Sequence, residues 1–356
     1  MTTVAVIGAA GYVGQELVSE LVRRGREVIA IARPATSFLI RNEAVRLVSP
    51  NDALQLPPDV LINLAYPSSG RSYEYPTKNR QILELILRLA APQTSVIHVS
   101  TLAVFGFELE REVVVGPVSR RRDYPYIEAK IDLEQDLMRE RPGKDLQIVR
   151  LGNVWGPASP YWTAALAERL LFGAPVGVAG RDGCCNLTDI GNVASYLSFL
   201  ASQESDGALG FHHLAEFGHL RWSHWISKME QALCLGAVRV NASAATARGI
   251  ASELRQMASS LSLSSMAKQA YATAYVGSWM RSTVRALPKR AVSVLAEKAK
   301  PRSSPGVAHA SDALFLSIMG TPNQFKTKVD PRWVQAIDDE ASWHRVAGWF
   351  AASGHI

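Results

Sequence analysis

The chain has 356 residues, 47% hydrophobic and 20% charged, with 25 Gly and 18 Pro. This is the composition of a globular protein, and it excludes disordered, collagen-like and coiled-coil chains. Three cysteines, two of them adjacent at Cys184 and Cys185, make neither a disulfide framework nor a CxxC metal site, and the formal charge of +6 is too localised to mark a general nucleic-acid binder.

From Met1 the chain runs straight into an apolar stretch at 3–7, without a basic leader or small-residue cleavage site. No apolar run approaches the roughly 20 residues of a membrane-spanning helix. A soluble protein of a reducing, cytoplasmic compartment is the expectation.

The N-terminal half alternates β-branched runs with helical patterns, the signature of a parallel sheet with crossover helices. Strands are expected at Val4–Ile7, Val28–Ala32, Val45–Val48, Val60–Leu64, Ser95–Val99 and Leu146–Leu151. Helices are expected at Tyr12–Arg24, Lys78–Leu89 and Tyr126–Met138. The strand runs are nearly continuous in apolar residues, as in a sheet covered on both faces. The predicted architecture is α/β: a Rossmann-type doubly wound parallel sheet with a smaller, mostly helical C-terminal substrate lobe. Residues 1–156 would form the dinucleotide-binding domain, with 187–214 returning to it, and 157–186 with 215–356 the substrate lobe. After Pro157 longer helices are expected, with short strands near Cys184–Leu187 and Gly210–Leu214. The Ala- and Ser-rich stretch 242–299 reads as helical, and 301–306 as a linker.

The first strand ends in Gly8-Ala9-Ala10-Gly11-Tyr12-Val13-Gly14, and a helix follows at once. Gly8 permits a tight turn, Gly11 lets backbone approach a pyrophosphate, and Gly14 allows close helix packing, while the helix N-terminus offers unpaired N–H donors. In that setting the spacing points to a dinucleotide, with Gly8, Ala10, Gly11, Tyr12, Val13 and Gly14 lining its site. The second strand is followed by Arg33 where an acidic residue would bind an adenosine ribose. A guanidinium suits a 2′-phosphate, so NADP is expected over NAD, although an Arg here can also stack on adenine or stand in solvent.

Strand five runs into Ser100-Thr101, and Tyr126 and Lys130 follow on one helix. Their spacing of four places both on one face, where an ammonium can lower the phenol's pKa toward neutrality. With the glycine turn and a hydroxyl at the end of strand five, a common helix-surface pattern becomes a candidate proton-transfer site.

On these residues the chain resembles the extended short-chain dehydrogenase/reductase superfamily, the branch of nucleotide-sugar epimerases, dehydratases and reductases. The resemblance covers about the first 240 residues. It also rests on Asp59-Val60-Leu61-Ile62-Asn63-Leu64-Ala65, on Asn79, on Arg150-Leu151-Gly152-Asn153-Val154-Trp155-Gly156-Pro157 and on Thr188-Asp189-Ile190-Gly191-Asn192-Val193-Ala194. It implies a hydride-transfer site in which Tyr126 is the general acid/base and Lys130 holds the nicotinamide ribose and tunes that tyrosine. Thr101 would hydrogen-bond the reacting oxygen; counting back from Phe105-Gly106 selects it over Ser100, which falls to the cofactor. Asn153 and Val154 would lie near the nicotinamide, and Ala65 and Tyr66 near the pyrophosphate and ribose, with Asn79 also on the cofactor side. The 4,6-dehydratases follow their catalytic Thr with Asp-Glu, whereas Leu102-Ala103 follows here, so dehydration is disfavoured. No cysteine stands directly after strand five, which removes a Cys/His epimerising pair. What remains is carbonyl reduction, to which Arg33 tilts the reading, or epimerisation through a transient keto sugar. A reading of another class is a sensor or scaffold that binds the dinucleotide without turnover. The expected partners are a sugar or nucleotide-sugar substrate and a second copy in a homodimer, with no nucleic acid.

Two stretches invite other readings. The run from Phe211-His212-His213 to His224-Trp225 suggests a metal site, but adjacent strand histidines face opposite sides, and packing explains the segment better. His98 likewise reads as a core histidine. Residues 266–302 hold eight basic residues against Glu297, with Tyr271, Tyr275, Trp279, Val284 and Leu287 on one helical stripe. That segment would pack on its own lobe, contact a membrane or protein partner, or supply cations to a substrate diphosphate.

Overall fold

A computed structural model describes residues 2–33, 38–67, 74–106, 115–118, 125–142, 145–171, 174–203, 208–235, 241–242, 315 and 318–353. The expectations for the helical stretch 242–299 beyond Ala242, for the basic segment 266–302 and for the linker at 301–306 lie outside the described residues.

In chain order the first strands are β1 (Thr3–Ile7), β2 (Glu27–Ile31), β3 (Val45–Val48), β4 (Val60–Asn63), β5 (Ser95–Thr101) and β6 (Leu146–Leu151). With β10 (Leu209–Leu214) they form a seven-stranded parallel sheet in the order β10-β6-β5-β4-β1-β2-β3. The interleaved helices are α1 (Tyr12–Arg23), α2 (Tyr75–Leu89), α3 (Pro125–Glu140) and, before β10, α5 (Ile190–Leu200). Because alternate strand residues point to opposite faces, the continuous apolar runs feed two cores at once. Val4, Val6, Val28, Ile62, Ile97, Val99 and Val149 pack with Leu17 and Leu21 of α1 and Val193 and Leu197 of α5. Ala5, Ile29, Leu61, Val96 and Ile148 pack on the other face with Ile86 of α2 and Leu133 and Leu137 of α3.

Several boundaries move for local reasons. α2 begins at Tyr75 rather than Lys78, since a proline in its first turn has its φ preset and no N–H to satisfy. β4 stops at Asn63, whose side-chain oxygen accepts from the Ala65 N–H and turns the chain out of the ladder. β5 runs two residues further than its apolar pattern, because Ser100 and Thr101 pair with Arg150 and Leu151 of β6.

Beyond Pro157 the expected longer helices give way to short elements. A π-helical turn at Pro160–Ala165 leads into the six-residue α4 (Leu166–Leu171). The strand expected at Cys184–Leu187 is interrupted by Asn186 at φ 46°, a left-handed conformation Asn tolerates better than most residues. Cys184 keeps only an isolated bridge to Arg221, and the strand proper is β9 (Leu187–Asp189), paired with β7 (Asn153–Trp155). Two further short strands, β8 (Gly177–Val178) and β11 (Asn241–Ala242), pair with each other.

The second core is aromatic. Trp155 meets Trp225 of α6 (Trp222–Ala232) at 4.7 Å edge-on and stacks on Trp343 of α7 (Asp339–Ser353) at 5.4 Å. The His/Trp-rich stretch therefore is a packing unit: Trp222 and Trp225 are buried, His212 bonds Tyr196 and Gln147, and His213 turns the other way toward Phe105. Among the described residues no cluster of His, Cys, Asp and Glu could hold a metal, and no helix is long and apolar enough to cross a membrane.

Asp189 fastens α7 to the sheet. It caps α5 through the Gly191 N–H and accepts from Ser342 and Arg345 of α7. Beside it Glu216 has both carboxyl oxygens buried without a hydrogen-bond partner among the described residues. Burial, with Asp189's charge adding, raises its pKa from 4.5 to about 7, although the Thr188 and Asn192 side chains pull it back in part. The folded chain thus holds a proton that the unfolded chain releases above pH 4.5, so this contribution is full below that pH and is lost as pH rises through 7. Glu216→Gln is expected to flatten the decline and to stabilise the protein at pH 8 by about 2 kcal/mol in urea unfolding. Parallel stability curves for the two proteins between pH 5 and 8 would contradict this.

Candidate functional site

The strand order reverses between β1 and β4: the chain builds outward to β3, then returns to add β4, β5, β6 and β10 on the other side. Loops leaving β1 and β4 at their C-terminal ends diverge there and leave a crevice, where open α/β sheets bind ligands. The glycine turn stands at this point. Gly8 has φ 85°, and a Cβ on it would lie 3.3 Å from the Ala65 nitrogen, so Ala65 after β4 and Gly8 after β1 form its two walls.

Gly11 is the N-cap of α1 and supplies no side-chain hydrogen bond, which leaves the first N–H groups of the helix, those of Tyr12, Val13 and Gly14, without a cap. A Cβ on Gly14 would fall 2.3 Å from the Gly8 carbonyl oxygen, so only glycine lets the helix enter this close to the turn. Ala10 is partly exposed at the tip. The Tyr12 hydroxyl donates to the Pro157 carbonyl at 3.0 Å, binding the first turn of α1 to the loop after β7. These features fit a pyrophosphate: a side-chain-free cradle, uncapped donors and the positive end of a helix. Arg33 is exposed just beyond β2.

The candidate proton-transfer groups meet at the end of β5. Thr101 accepts from the Ala103 N–H at 3.2 Å, capping a 3-10 turn at Leu102–Phe105, and its side chain stands beside the Tyr126 phenol. Ser100, facing the opposite side of the strand, is buried, its Oγ without a hydrogen-bond partner among the described residues. Tyr126 and Lys130 share a face of α3, but the ammonium does not reach toward the phenol. Lys130 Nζ donates to the Val99 carbonyl at 2.9 Å and lies 5.0 Å from the centre of the Tyr66 ring. Tyr66 in turn meets Tyr126 edge-on at 5.6 Å.

The electrostatics follow this geometry and correct the expectation of a phenol tuned toward neutrality. Burial pushes Tyr126 up to about 12, with the Thr101 side chain pulling the other way. Burial lowers Lys130 to about 8, and Glu134 on the next turn of α3 opposes that fall. At neutral pH the site therefore holds a protonated phenol and a mostly charged lysine.

Three other anticipated residues have partners inside the protein. Asn79 is buried, its amide donating to the Ala129 carbonyl of α3 at 2.7 Å while its Oδ1 has no partner among the described residues. The Asn153 amide donates to the Cys185 carbonyl at 2.7 Å, and Val154 pairs with Thr188 between β7 and β9.

Sequence reading passed over a polar seam beneath α3. Asn63 donates to His98 Nδ1 at 3.0 Å, and Arg150 on β6 makes a paired contact with Glu134, at 3.1 and 2.7 Å, with both side chains fully buried. Glu134 continues the Tyr126–Lys130 spacing by another four residues, a signal visible in the sequence. Its pairing with Arg150 depends on the sheet and was not.

Three comparisons bear on this arrangement. The UDP-glucose 4-epimerase of Thermotoga maritima superposes with a TM-score of 0.53 at 18% identity, over 68% of this chain and 86% of that one. The UDP-glucuronic acid 4-epimerase of Bacillus cereus, solved with NAD, gives 0.52 at 20%, over 68% and 87%. The dTDP-glucose 4,6-dehydratase of Bacillus anthracis, also with NAD, gives 0.53 at 14%, over 68% and 85%. At these identities the likeness is one of fold. A 41-residue stretch is 54% identical to the chloroplastic divinyl chlorophyllide a 8-vinyl-reductase of Oryza sativa subsp. indica, spanning 12% of this chain and only 10% of the rice protein. The sequence pattern of the NAD dependent epimerase/dehydratase family matches residues 4–203, which include the glycine turn, Thr101, Tyr126 and Lys130. The chain belongs to the NAD dependent epimerase/dehydratase family.

Proposed function

We propose that the protein is an NAD(P)-dependent oxidoreductase acting at a keto or hydroxyl carbon of a nucleotide-linked or similarly polar sugar. The observation that carries this reading is the convergence of Thr101, Tyr126 and Lys130 at the end of β5, beside a side-chain-free cradle at the end of β1. Residues 1–156 with 187–214 hold the dinucleotide, and 157–186 with 215–356 hold the sugar. The Gly8–Gly14 turn binds the pyrophosphate, with Ala65 as its far wall. Arg33 faces the adenosine ribose and selects a 2′-phosphate. When bound, the nicotinamide supplies or accepts the hydride.

The chain's own groups manage the oxygen and its proton. Thr101 hydrogen-bonds the reacting oxygen. Tyr126, protonated at neutral pH, gives that oxygen a proton as the carbonyl is reduced. Lys130 stabilises the resulting phenolate by its positive charge and anchors the ribose, which requires the Tyr66 ring to turn aside. A phenol that keeps its proton favours the reductive direction, in agreement with Arg33. Leu102 and Ala103 offer no acid or base for dehydration.

A second reading, epimerisation, uses the same three side chains and is favoured by the family's name and by the epimerase fold of its structural neighbours. Net consumption of NADPH with a panel of keto sugars, free and nucleotide-linked, supports the reductase; sugar inversion without net consumption supports the epimerase.

Three substitutions test the assignments. Tyr126→Phe is expected to cut turnover at least about 100-fold while dinucleotide affinity by calorimetry stays within twofold; turnover near wild type refutes the role of the phenol. Gly14→Ala should abolish dinucleotide binding and lower the melting temperature, since the new methyl group strikes backbone, an overpacking cost of about 1–3 kcal/mol. Arg33→Ala should reduce any NADPH-over-NADH preference about tenfold; an unchanged ratio removes Arg33 from the ribose site.

A further inference from the structure

The face of α3 that carries Tyr126 and Lys130 continues to Glu134, and all three rest on a row of polar strand residues. In register across the sheet, Asn63 pairs with His98, and Ser100 pairs with Arg150, which pairs with His213. This row holds three buried charged groups: Lys130, 4% exposed, Glu134, 1%, and Arg150, 0%. Two are cations and one is a carboxylate. The histidines do not alter that balance, because burial and the neighbouring cations hold His98 well below its ordinary range and His213 at about 4.

Arg150 is held from every side. Its Nε and Nη2 reach the two Glu134 oxygens, its Nη1 lies 3.5 Å from His213 Nε2, and its guanidinium sits 5.1 Å from the Phe105 ring and 5.0 Å from Phe211. It therefore joins α3 to β6, to β10 and to the 3-10 turn that Thr101 caps. Facing Lys130 are the Val99 carbonyl and His98 from β5, the Tyr66 ring from the segment after β4, and Glu134 from its own helix, whose carboxylate is held by Arg150. Asn79 of α2 grips the Ala129 carbonyl beside it. A lysine in such surroundings loses its proton unless a negative charge compensates its lost hydration.

We propose that Glu134 is a positioning residue for the Tyr126–Lys130 pair: clamped by Arg150, its carboxylate fixes the site-bearing face of α3 on the sheet and sets a negative charge one helical turn from Lys130. The carboxylate of this pair stands one helical turn from Lys130 and acts on it through its charge. The inference rests on the role given to Lys130 above, but its test needs neither dinucleotide nor sugar, so it fails or stands separately from Tyr126→Phe turnover.

The experiment is an NMR titration of the full chain labelled with 13Cε-lysine, the Lys130 signal being identified by its loss in Lys130→Arg. Three proteins are compared: wild type, Glu134→Gln, which leaves the Arg150 cation alone, and Glu134→Gln/Arg150→Met, which removes both charges. The expected order of Lys130 midpoints is wild type, then the double variant, then Glu134→Gln, the last about one unit below wild type. A purely structural role would not rank the double variant above the single one. If Glu134→Gln fails to fold, the double variant decides alone: a midpoint below wild type supports the proposal. A double variant at or above wild type, or a folded Glu134→Gln at or above the double, overturns it.

Discussion

A parallel sheet whose strands are apolar on both sides must be covered on both sides, and the rest of this molecule follows from that burial. Val4 and Val6 look toward α1 and α5, while Ala5 and Ile29 look toward the α2 and α3 face. To put helices on both faces the chain must change direction within the sheet, which it does between β1 and β4. The crevice at that reversal is a consequence of covering the core rather than an added feature. Gly8, Gly14 and Ala65 line it because the chain can bring two loops and a helix so close only where side chains are absent or small.

The same layering explains why the chemistry lies where the sheet stops being apolar. Toward the C-terminal ends of β4, β5, β6 and β10 the residues facing α3 change from Leu61, Val96 and Ile148 to Asn63, His98, Arg150 and His213. Polar groups under a helix need partners, and α3 answers with Lys130 and Glu134 at helical spacing. Burial then sets the protonation states: it raises the phenol of Tyr126, lowers the amine of Lys130 and holds the histidines neutral. A site so built is closed at its base and keeps some exposure at Tyr66, Thr101 and Tyr126.

The second lobe is held by different means. Its core is a stack of tryptophans, and its last helix is fastened by Asp189, which lies within the family's matched region. The segment before that helix returns to the sheet: Lys328 exchanges two backbone hydrogen bonds with His213, and Asn192 holds the backbone of Ala336 and Ile337. Asn323, bonded to the Gly106 carbonyl, ties this returning segment to the turn that follows Thr101. The C-terminal chain is thus connected to the site through backbone contacts that no local pattern announces.

The sequence by itself determined the parallel sheet, the glycine turn and the Tyr126–Lys130 face, because each is written at short range: apolar runs, a fixed glycine spacing, an interval of four. Only the tertiary structure decided that Ser100 is buried and Thr101 meets the phenol, since a strand's two faces become distinct only when both are packed. It alone also decided that Lys130 bonds a carbonyl instead of approaching Tyr126, and that Arg150 belongs to Glu134. Partners 16 and 31 residues apart are chosen by the register of neighbouring strands, and burial, which sets the charge each group keeps, exists only once those strands have assembled.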